Sequence, residues 1–163
     1  MASIPKLTGQ VLSASATQTP NKTALICKGF KISFALLECK ANRLAHALLD
    51  TGIPPRSHVG VMSQNCIEYV ILHFGTSRTG HVLVHLSTRY TAGEIEYILK
   101  ITGIQILFLD TPSFHVCREV LKNLDHSPEI ILLDRENQEV ESQFESFIAG
   151  HSEEVPNQPL SDN

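Results

Sequence analysis

Short apolar runs alternate with helical patterns along most of the chain, and this alternation constrains the fold more than any other feature. The runs are rich in branched aliphatic residues and predict strands at 58–63, 82–84, 104–109 and 130–133. We expect the strand at 82–84 to be buried on both faces. Parallel strands need helical crossovers, so the alternation predicts an α/β fold: an open, doubly wound, mostly parallel sheet with flanking helices.

The clearest helix lies between residues 33 and 52. Its apolar residues recur at steps of 3 and 4, which places them on one face: Phe34, Leu37, Ala41, Leu44 and Leu48. Ser33 stands where an N-cap is expected, and Gly52 stands where a left-handed residue ends a helix. Pro54 and Pro55 then prevent the helix from continuing.

Capping patterns predict where the other helices begin and end. The starts fall at Asn65 (with Glu68 three residues on), at Thr91 (with Glu94) and at Ser113. Gly80 and Gly103 are expected to end the first two of these helices. Phe144, Phe147 and Ile148 indicate a last short helix.

Two further patterns complete the domain organisation. The apolar run 24–27, the Lys28-Gly29 pair and Ile32 predict a small hairpin near 23–32. Residues 1–150 are therefore assigned to one partial α/β domain. Residues 151–163 lose the periodic pattern and are rich in proline, asparagine, serine and acidic residues, which predicts a loop or disordered tail.

The composition narrows the class of protein. The 163 residues carry a net charge of −4 without a basic segment, which argues against a nucleic-acid-binding protein. No apolar run is long enough for a membrane-spanning helix, and residues 1–10 lack the apolar region of a signal peptide. The 4 cysteines form no CxxC pair, which indicates a reduced, intracellular, cytoplasmic protein, with peroxisome and mitochondrion as alternative locations.

Open α/β sheets bind ligands beyond the carboxyl ends of their strands, so the polar residues there are candidates for a site. These ends fall at Ser63-Gln64-Asn65, Ser87-Thr88-Arg89, Asp110-Thr111 and Asp134-Arg135. Asp110 and Asp134 stand where catalytic carboxylates are often found, but the favoured interpretation is that they are strand-ending turn residues. Arg89 has a side chain able to hold an anion, although an exposed surface contact is favoured for it.

No motif in the chain brings together the residues that a catalytic reaction requires. The string 75–81 is superficially similar to a phosphate-binding loop, but His81 replaces the lysine, and the string ends a helix instead of beginning one. His81 and His85 lie roughly 13 Å apart along a predicted strand, too far to share a metal ion. No nucleophile stands in a strand–turn–helix elbow. The residues alone therefore assign no catalytic, cofactor-binding or metal-binding residue, and substrate-binding residues stay unknown.

Several segments follow one another in an order found in one enzyme family: 20–26, 32–37, 41–49, 52–53, 63–69, 78–89 and 94–99. They resemble the N-terminal region of the adenylate-forming (AMP-binding) superfamily, which includes acyl-CoA and aryl-CoA synthetases. Segment 32–37 is similar to the family's first core motif and segment 77–87 to its second. The chain departs from the family pattern at Leu36 (usually Glu), His85 (usually Pro), Ser87 (usually Asn or Asp) and Arg56-Ser57 (usually Gly-Asp).

The resemblance implies a two-step reaction, in which a carboxylic acid and ATP form an acyl-adenylate and the thiol of coenzyme A then displaces AMP. It implies ATP, Mg²⁺ and coenzyme A for the full-length enzyme. The family handles phosphate with a Ser/Thr/Gly-rich loop ending in Lys-Gly, a later acidic residue and a lysine in a C-terminal domain, and these 163 residues contain none of them. Residues 160–163 resemble the stretch just before that loop, so we expect an N-terminal fragment that is inactive alone.

Two other interpretations stay open. The chain is alternatively a non-catalytic α/β binding module, such as a truncated isoform that associates with a full-length relative through exposed apolar surface. The second alternative is an unrelated flavodoxin-like or nucleotide-binding domain, but no Gly-rich loop follows the first strand of this chain. The resemblance over several segments favours the first interpretation over both.

Overall fold

The computed structural model describes residues 8–134 and 142–157. In chain order, this part of the protein forms α1 (Thr8–Gln18), β1 (Thr23–Cys27), β2 (Phe30–Ser33), α2 (Phe34–Asp50), β3 (His58–Met62), α3 (Ile67–Thr76), β4 (Val82–His85), α4 (Ala92–Thr102), β5 (Ile106–Leu109), α5 (Thr111–Lys122), β6 (Glu129–Leu132) and α6 (Gln143–Ile148). Among the described residues, no helix is both long enough and apolar enough to cross a membrane.

The main sheet has four parallel strands in the order β4-β3-β5-β6. The chain adds β4 on one side of β3 and then returns to place β5 on the other side, so the strand order reverses between them. Helices cover both faces of the sheet, which confirms the predicted α/β class. The predicted hairpin is also present: β1 and β2 pair antiparallel as a separate two-stranded sheet, with Lys28 and Gly29 at positive φ in the turn.

Alternating side chains of β5 divide the interior into two apolar cores. Ile106 and Phe108 pack with α2, α3 and α6 on one face of the sheet. Leu107 and Leu109 pack with α4 and α5 on the opposite face. All four side chains are buried, because a central parallel strand is covered on both faces and successive residues point to opposite sides.

Strand β4 differs from expectation because it is half-exposed. It pairs with β3 alone and forms one edge of the described sheet. Val82 and His85 are exposed and the two residues between them are only partly buried. The β-branched composition of this segment predicted a strand correctly, but composition alone does not distinguish an edge strand from a central one.

Two predicted helix starts are wrong, one by a single residue and the other by three residues. The N-cap of α3 is Cys66 and not Asn65, because the Cys66 Sγ accepts a hydrogen bond from the Tyr69 backbone N–H at 3.4 Å. The N-cap of α5 is Asp110, whose carboxylate accepts from the Ser113 N–H at 2.9 Å. Gly80 lies in the turn after α3, at φ 77, whereas the helix itself ends at Thr76.

The other predicted caps agree with the structure. Ser33 accepts from the Leu36 N–H at 3.2 Å, Thr91 forms a capping box with Glu94, and Gly103 ends α4 in the left-handed conformation. The short helix predicted around Phe144 is α6. Helix α1 was not predicted, since Leu12 is its single large side chain that is fully buried.

Residues 151–157 have no regular secondary structure and contact α2. The Asn42 Nδ2 donates to the Glu153 carbonyl at 2.6 Å, and the Arg43 guanidinium lies 2.5 Å from the Glu153 carboxylate. The His46 Nε2 lies 3.0 Å from the Glu154 carbonyl oxygen. These contacts hold the segment on the surface of α2. The rest of the expected tail, 158–163, lies outside the described residues.

Candidate functional site

An open groove of about 870 Å³ lies at the carboxyl ends of β3, β5 and β6, the position that the α/β topology predicts for a ligand. Its walls come from the β1–β2 hairpin, the first turns of α2 and α3, and α6. Most of the lining is apolar, including Phe30, Leu36 and Ile67. Lys40 crosses one side of the groove and bonds the Glu145 carboxylate at 2.6 and 2.7 Å.

Asp110 holds two neighbouring loops together at the floor of this groove. One carboxylate oxygen accepts from the Gln64 backbone N–H at 2.8 Å, and the other accepts from the Ser113 N–H at 2.9 Å. Burial by itself raises the pKa of Asp110, but the hydrogen bonds from Ser113 and Gln64 outweigh it, so the pKa lies below its ordinary value. Asp110 therefore caps α5 and ties the end of β3 to the end of β5.

Asp134 performs a similar task one strand further along the sheet. Its Oδ1 accepts from the Thr111 backbone N–H at 2.9 Å and from the Thr111 hydroxyl at 3.0 Å. Asp134, the second residue after β6, is thereby tied to the first residue of α5. Both aspartates thus act as links between strand ends, as the turn-residue interpretation proposed, and Arg135 lies outside the described residues.

The polar residues after β4 lie at the far side of the sheet. The Gln64 side-chain amide donates to the Thr88 hydroxyl at 3.3 Å, which connects the exits of β3 and β4. The Arg89 backbone N–H donates to the Ser87 Oγ at 3.2 Å. Arg89 is exposed, and its guanidinium makes no ion pair with any residue that the structure describes.

His81 and His85 occupy different surroundings. His81 is buried just before β4, where its Nδ1 lies 2.8 Å from the Thr79 hydroxyl, and burial lowers its pKa. His85 is at the end of β4, where it stacks on Tyr69 and lies close to His73. Within residues 8–134 and 142–157, no group of three or more histidine, cysteine, aspartate or glutamate side chains is arranged to hold a metal ion.

All four cysteines are free, and two of them are strongly shielded thiols. Burial raises the pKa of Cys66 to about 11, although hydrogen bonds from Tyr69 and Ser63 partly oppose the shift. Burial also raises the pKa of Cys117 to about 11. Because the thiolate is the reactive form, these two groups are poor nucleophiles near neutral pH.

The sequence analysis missed a buried polar cluster around Arg78. The Arg78 guanidinium bonds the Glu38 carboxylate at 2.7 Å and the Asn42 side-chain oxygen on α2. It also donates to the Gly9 carbonyl at 3.0 Å and to the Ser13 hydroxyl at 3.3 Å, both on α1. Arg78 and Asn42 are buried. This cluster, together with the Asn42–Glu153 bond, joins α1, α2, the turn after α3 and the segment 151–157.

One sequence signal pointed to this cluster. Asn42 stands beside Ala41 and Ala45 on the apolar face of α2, and a polar residue there needs a buried partner. The identity of that partner depends on tertiary contacts, because Arg78 is 36 positions away in the chain. The sequence around Arg78 contains no pattern that distinguishes a buried arginine from an exposed one.

The four departures from the family pattern are spread over the surface. Leu36 is exposed at the groove, and His85 is exposed beside Tyr69. Ser87 accepts the Arg89 N–H. Arg56 has φ 68, in the left-handed region where glycine is favoured. The replacement of glycine by arginine there places a side chain on strained backbone.

A family model described as "AMP-binding enzyme" matches residues 12–162, nearly the whole chain. The chain belongs to the AMP-binding enzyme family. It is 33% identical over 115 residues to the medium/long-chain-fatty-acid–CoA/3-oxocholest-4-en-26-oate–CoA ligase of Mycobacterium tuberculosis, which covers 71% of this chain and 21% of that protein. It is 33% identical over 124 residues to the acyl-CoA ligase sidI of Aspergillus fumigatus, covering 74% of this chain and 21% of that ligase.

Solved structures of AMP-binding enzymes share the fold. The anthranilate–CoA ligase AuaEII superposes with a TM-score of 0.83 over 93% of this chain and 30% of that one, at 23% identity. The N-terminal domain of FACL13 from Mycobacterium tuberculosis superposes with a TM-score of 0.81 over 95% of this chain and 39% of that one, at 23% identity. The chain therefore corresponds to a part of the N-terminal domain, and it spans about a fifth of the length of the curated relatives it matches, 21% in each of the two above.

Proposed function

We propose that this chain is the N-terminal scaffold of an ATP-dependent ligase that joins a carboxylic acid to a thiol through an acyl-adenylate. The observation that carries the proposal is the family match over residues 12–162. The names of two relatives support a fatty acid as the acid. One is the fatty-acid–CoA ligase described above, which supports coenzyme A as the thiol. The other is a fatty acid–[acyl-carrier-protein] ligase of Streptomyces coeruleorubidus, 34% identical over 101 residues, which supports a carrier protein as the thiol.

We further propose that the nucleotide and Mg²⁺ are bound by residues outside this chain. ATP binding requires donors and cations that neutralise phosphate, and Mg²⁺ requires free carboxylate oxygens. Asp110 and Asp134 already accept backbone N–H groups, and Lys40 is paired with Glu145. These three groups of the groove hold strand ends and helices together, which supports a scaffold role for them.

The test is acid-dependent exchange of pyrophosphate into ATP by the isolated chain. A panel of fatty and aromatic acids is assayed with Mg²⁺ and ATP, and an intact CoA ligase serves as the positive control. We expect no exchange above the level without acid. Exchange that requires both the acid and the chain contradicts the proposal.

A second candidate function is favoured by exposed apolar side chains beside the groove. Phe30 is 73% exposed and Leu36 is 48% exposed, and both line the groove. Exposed apolar side chains that line one groove are typical of an interaction site. We propose that the chain associates through these side chains, either with another copy or with a full-length relative, and analytical ultracentrifugation tests this.

We also propose an intracellular, cytoplasmic location. The free state of the four cysteines supports a reducing compartment. Microscopy of the chain fused to a fluorescent protein is expected to show diffuse cytoplasmic signal, and signal confined to peroxisomes or mitochondria contradicts the proposal.

A further inference from the structure

Two imidazoles and a phenol meet where α3 passes the end of β4. The ring centres of His73 and His85 are 6.2 Å apart, and those of Tyr69 and His85 are 5.5 Å apart in a stacked arrangement. Both histidines are exposed. In the sequence, the nearest histidine to His85 is His81, on the same predicted strand. In the folded chain, His85 instead lies close to His73 on the adjacent helix α3.

The Tyr69 hydroxyl fixes which nitrogen of His85 is available to a ligand. The Tyr69 oxygen lies 2.8 Å from His85 Nδ1. When Nδ1–H donates to the phenol oxygen, the lone pair of Nε2 is free and directed away from Tyr69.

The two rings are close to the spacing of a shared metal ion but not yet at it. A ring nitrogen bonds a metal ion at about 2 Å and the ring centre lies roughly 1 Å further away, so two rings on one tetrahedral ion have centres about 5 Å apart. The observed separation is 6.2 Å, so binding requires the exposed His73 side chain to rotate toward His85 by about 1 Å. The His73 ring makes no hydrogen bond with any of residues 8–134 or 142–157, so no such bond must break.

We propose that His73 and His85 bind one late first-row divalent transition-metal ion, such as Zn²⁺ or Ni²⁺, with Tyr69 as a positioning residue. Imidazole nitrogen is a preferred ligand of these ions. Two protein ligands are fewer than the four of a structural zinc site, so water completes the coordination and the affinity is modest. The bound ion ties α3 to the free edge strand β4 and stabilises the folded chain.

The test is titration of the full chain, with its cysteines kept reduced, by Zn²⁺ and Ni²⁺ in a calorimeter. We expect one ion per chain at this site, and His73→Gln and His85→Gln each to abolish its binding. Tyr69→Phe is expected to weaken binding about tenfold while keeping the stoichiometry. His115→Gln removes another exposed histidine, on α5, and is expected to bind like the parent.

A second readout locates the ion. Paramagnetic Ni²⁺ is expected to broaden the imidazole NMR signals of His73 and His85 before those of the other histidines, and the melting temperature is expected to rise with Zn²⁺ in the parent but not in His85→Gln. Both substituted histidines are exposed, and matching circular dichroism spectra verify that the variants fold. Unchanged affinity in either histidine variant overturns the proposal, and unchanged affinity in Tyr69→Phe overturns the role of Tyr69.

Discussion

At the scale of single residues, Arg78 connects more elements than any other polar side chain described above. Its guanidinium is buried, pairs with the partly buried Glu38 carboxylate, and reaches carbonyl and hydroxyl oxygens on α1. Removing one partner of a buried ion pair leaves the other charge without compensation, which costs far more than the pair itself contributes. The apolar substitution Arg78→Met is therefore expected to lower the free energy of unfolding by about 3–5 kcal/mol, measured by urea denaturation.

An exposed ion pair provides the matched control. Lys100 bonds Glu96 at 2.6 Å on the surface of α4, where water and salt screen the attraction. Lys100→Met is expected to leave the urea midpoint almost unchanged. If Arg78→Met and Lys100→Met lower the free energy of unfolding equally, the burial of Arg78 is not the cause of its effect.

Gly75 is a second residue whose importance follows from close packing. A Cβ at this position would lie 2.7 Å from Leu44 Cδ2 and 2.9 Å from the Ala41 carbonyl oxygen on α2. Gly75→Ala is therefore expected to push α3 away from α2 and to lower the free energy of unfolding by about 1–3 kcal/mol. Thermal or urea denaturation measures the effect.

Gly93 in α4 serves as the control for helix propensity. A Cβ there meets no atom within 4 Å, so Gly93→Ala is expected to raise the free energy of unfolding by about 0.5 kcal/mol. The two substitutions are thus predicted to have opposite signs. A stabilising Gly75→Ala would mean that the α2–α3 contact is looser than the structure shows.

At the scale of elements, Asp110 couples the start of α5 to the end of β3. Its pKa is lower in the folded chain than its ordinary value, so the stabilisation is present above about pH 4 and is lost as the pH falls through the folded-state pKa. Asp110→Asn keeps a capping oxygen but removes the charge and presents a donor to one of the two N–H groups. We expect a loss of about 1–2 kcal/mol at pH 7.

The pH dependence distinguishes this charge effect from a packing defect. The difference in unfolding free energy between the parent and Asp110→Asn is expected to shrink as the pH falls below about 4 and through the folded-state pKa, because the parent carboxyl is then progressively neutralised. The exposed Asp125 provides Asp125→Asn as a control, with no comparable change. A difference that stays constant with pH argues that the carboxylate charge of Asp110 is not responsible.

Most helices and strands could be predicted because their signals are local. The Ser33 cap, the Thr91–Glu94 box and Gly103 each act within a few residues of the helix end that they define. Helix α1 was missed because tertiary contacts with Arg78, and not an apolar stripe, hold it in place. The burial of β4 was overestimated because edge position depends on sheet order, which a short apolar run does not encode.

At the scale of the whole molecule, the sequence located the groove but not its chemistry. The rule that ligands bind at the carboxyl ends of strands pointed to the edge of the sheet where the groove lies, and ligand binding there stays a prediction. Asp110 and Asp134 do lie there, yet each is engaged by N–H groups from a neighbouring loop. Such engagement depends on which strands are adjacent, and adjacency is known only once the order β4-β3-β5-β6 is established.

The apolar wall of the groove leads to a prediction about self-association. Phe30 is exposed on the hairpin and Leu36 lies near it on the groove wall. We expect the chain to sediment as a concentration-dependent mixture of monomers and oligomers in analytical ultracentrifugation. Burying an aromatic side chain contributes about 1.5–3 kcal/mol, so Phe30→Ser is expected to raise the dissociation constant by roughly tenfold or more.

Val116 on α5 is the appropriate comparison because it is also exposed, at 49%, but does not line the groove. Val116→Ser removes apolar surface of the same general kind without touching the hairpin, so its sedimentation is expected to match that of the parent. If both variants dissociate to the same extent, the association arises from nonspecific hydrophobic contacts and not from the groove. If the parent is monomeric at every accessible concentration, the groove does not drive self-association, and a full-length relative becomes its remaining proposed partner.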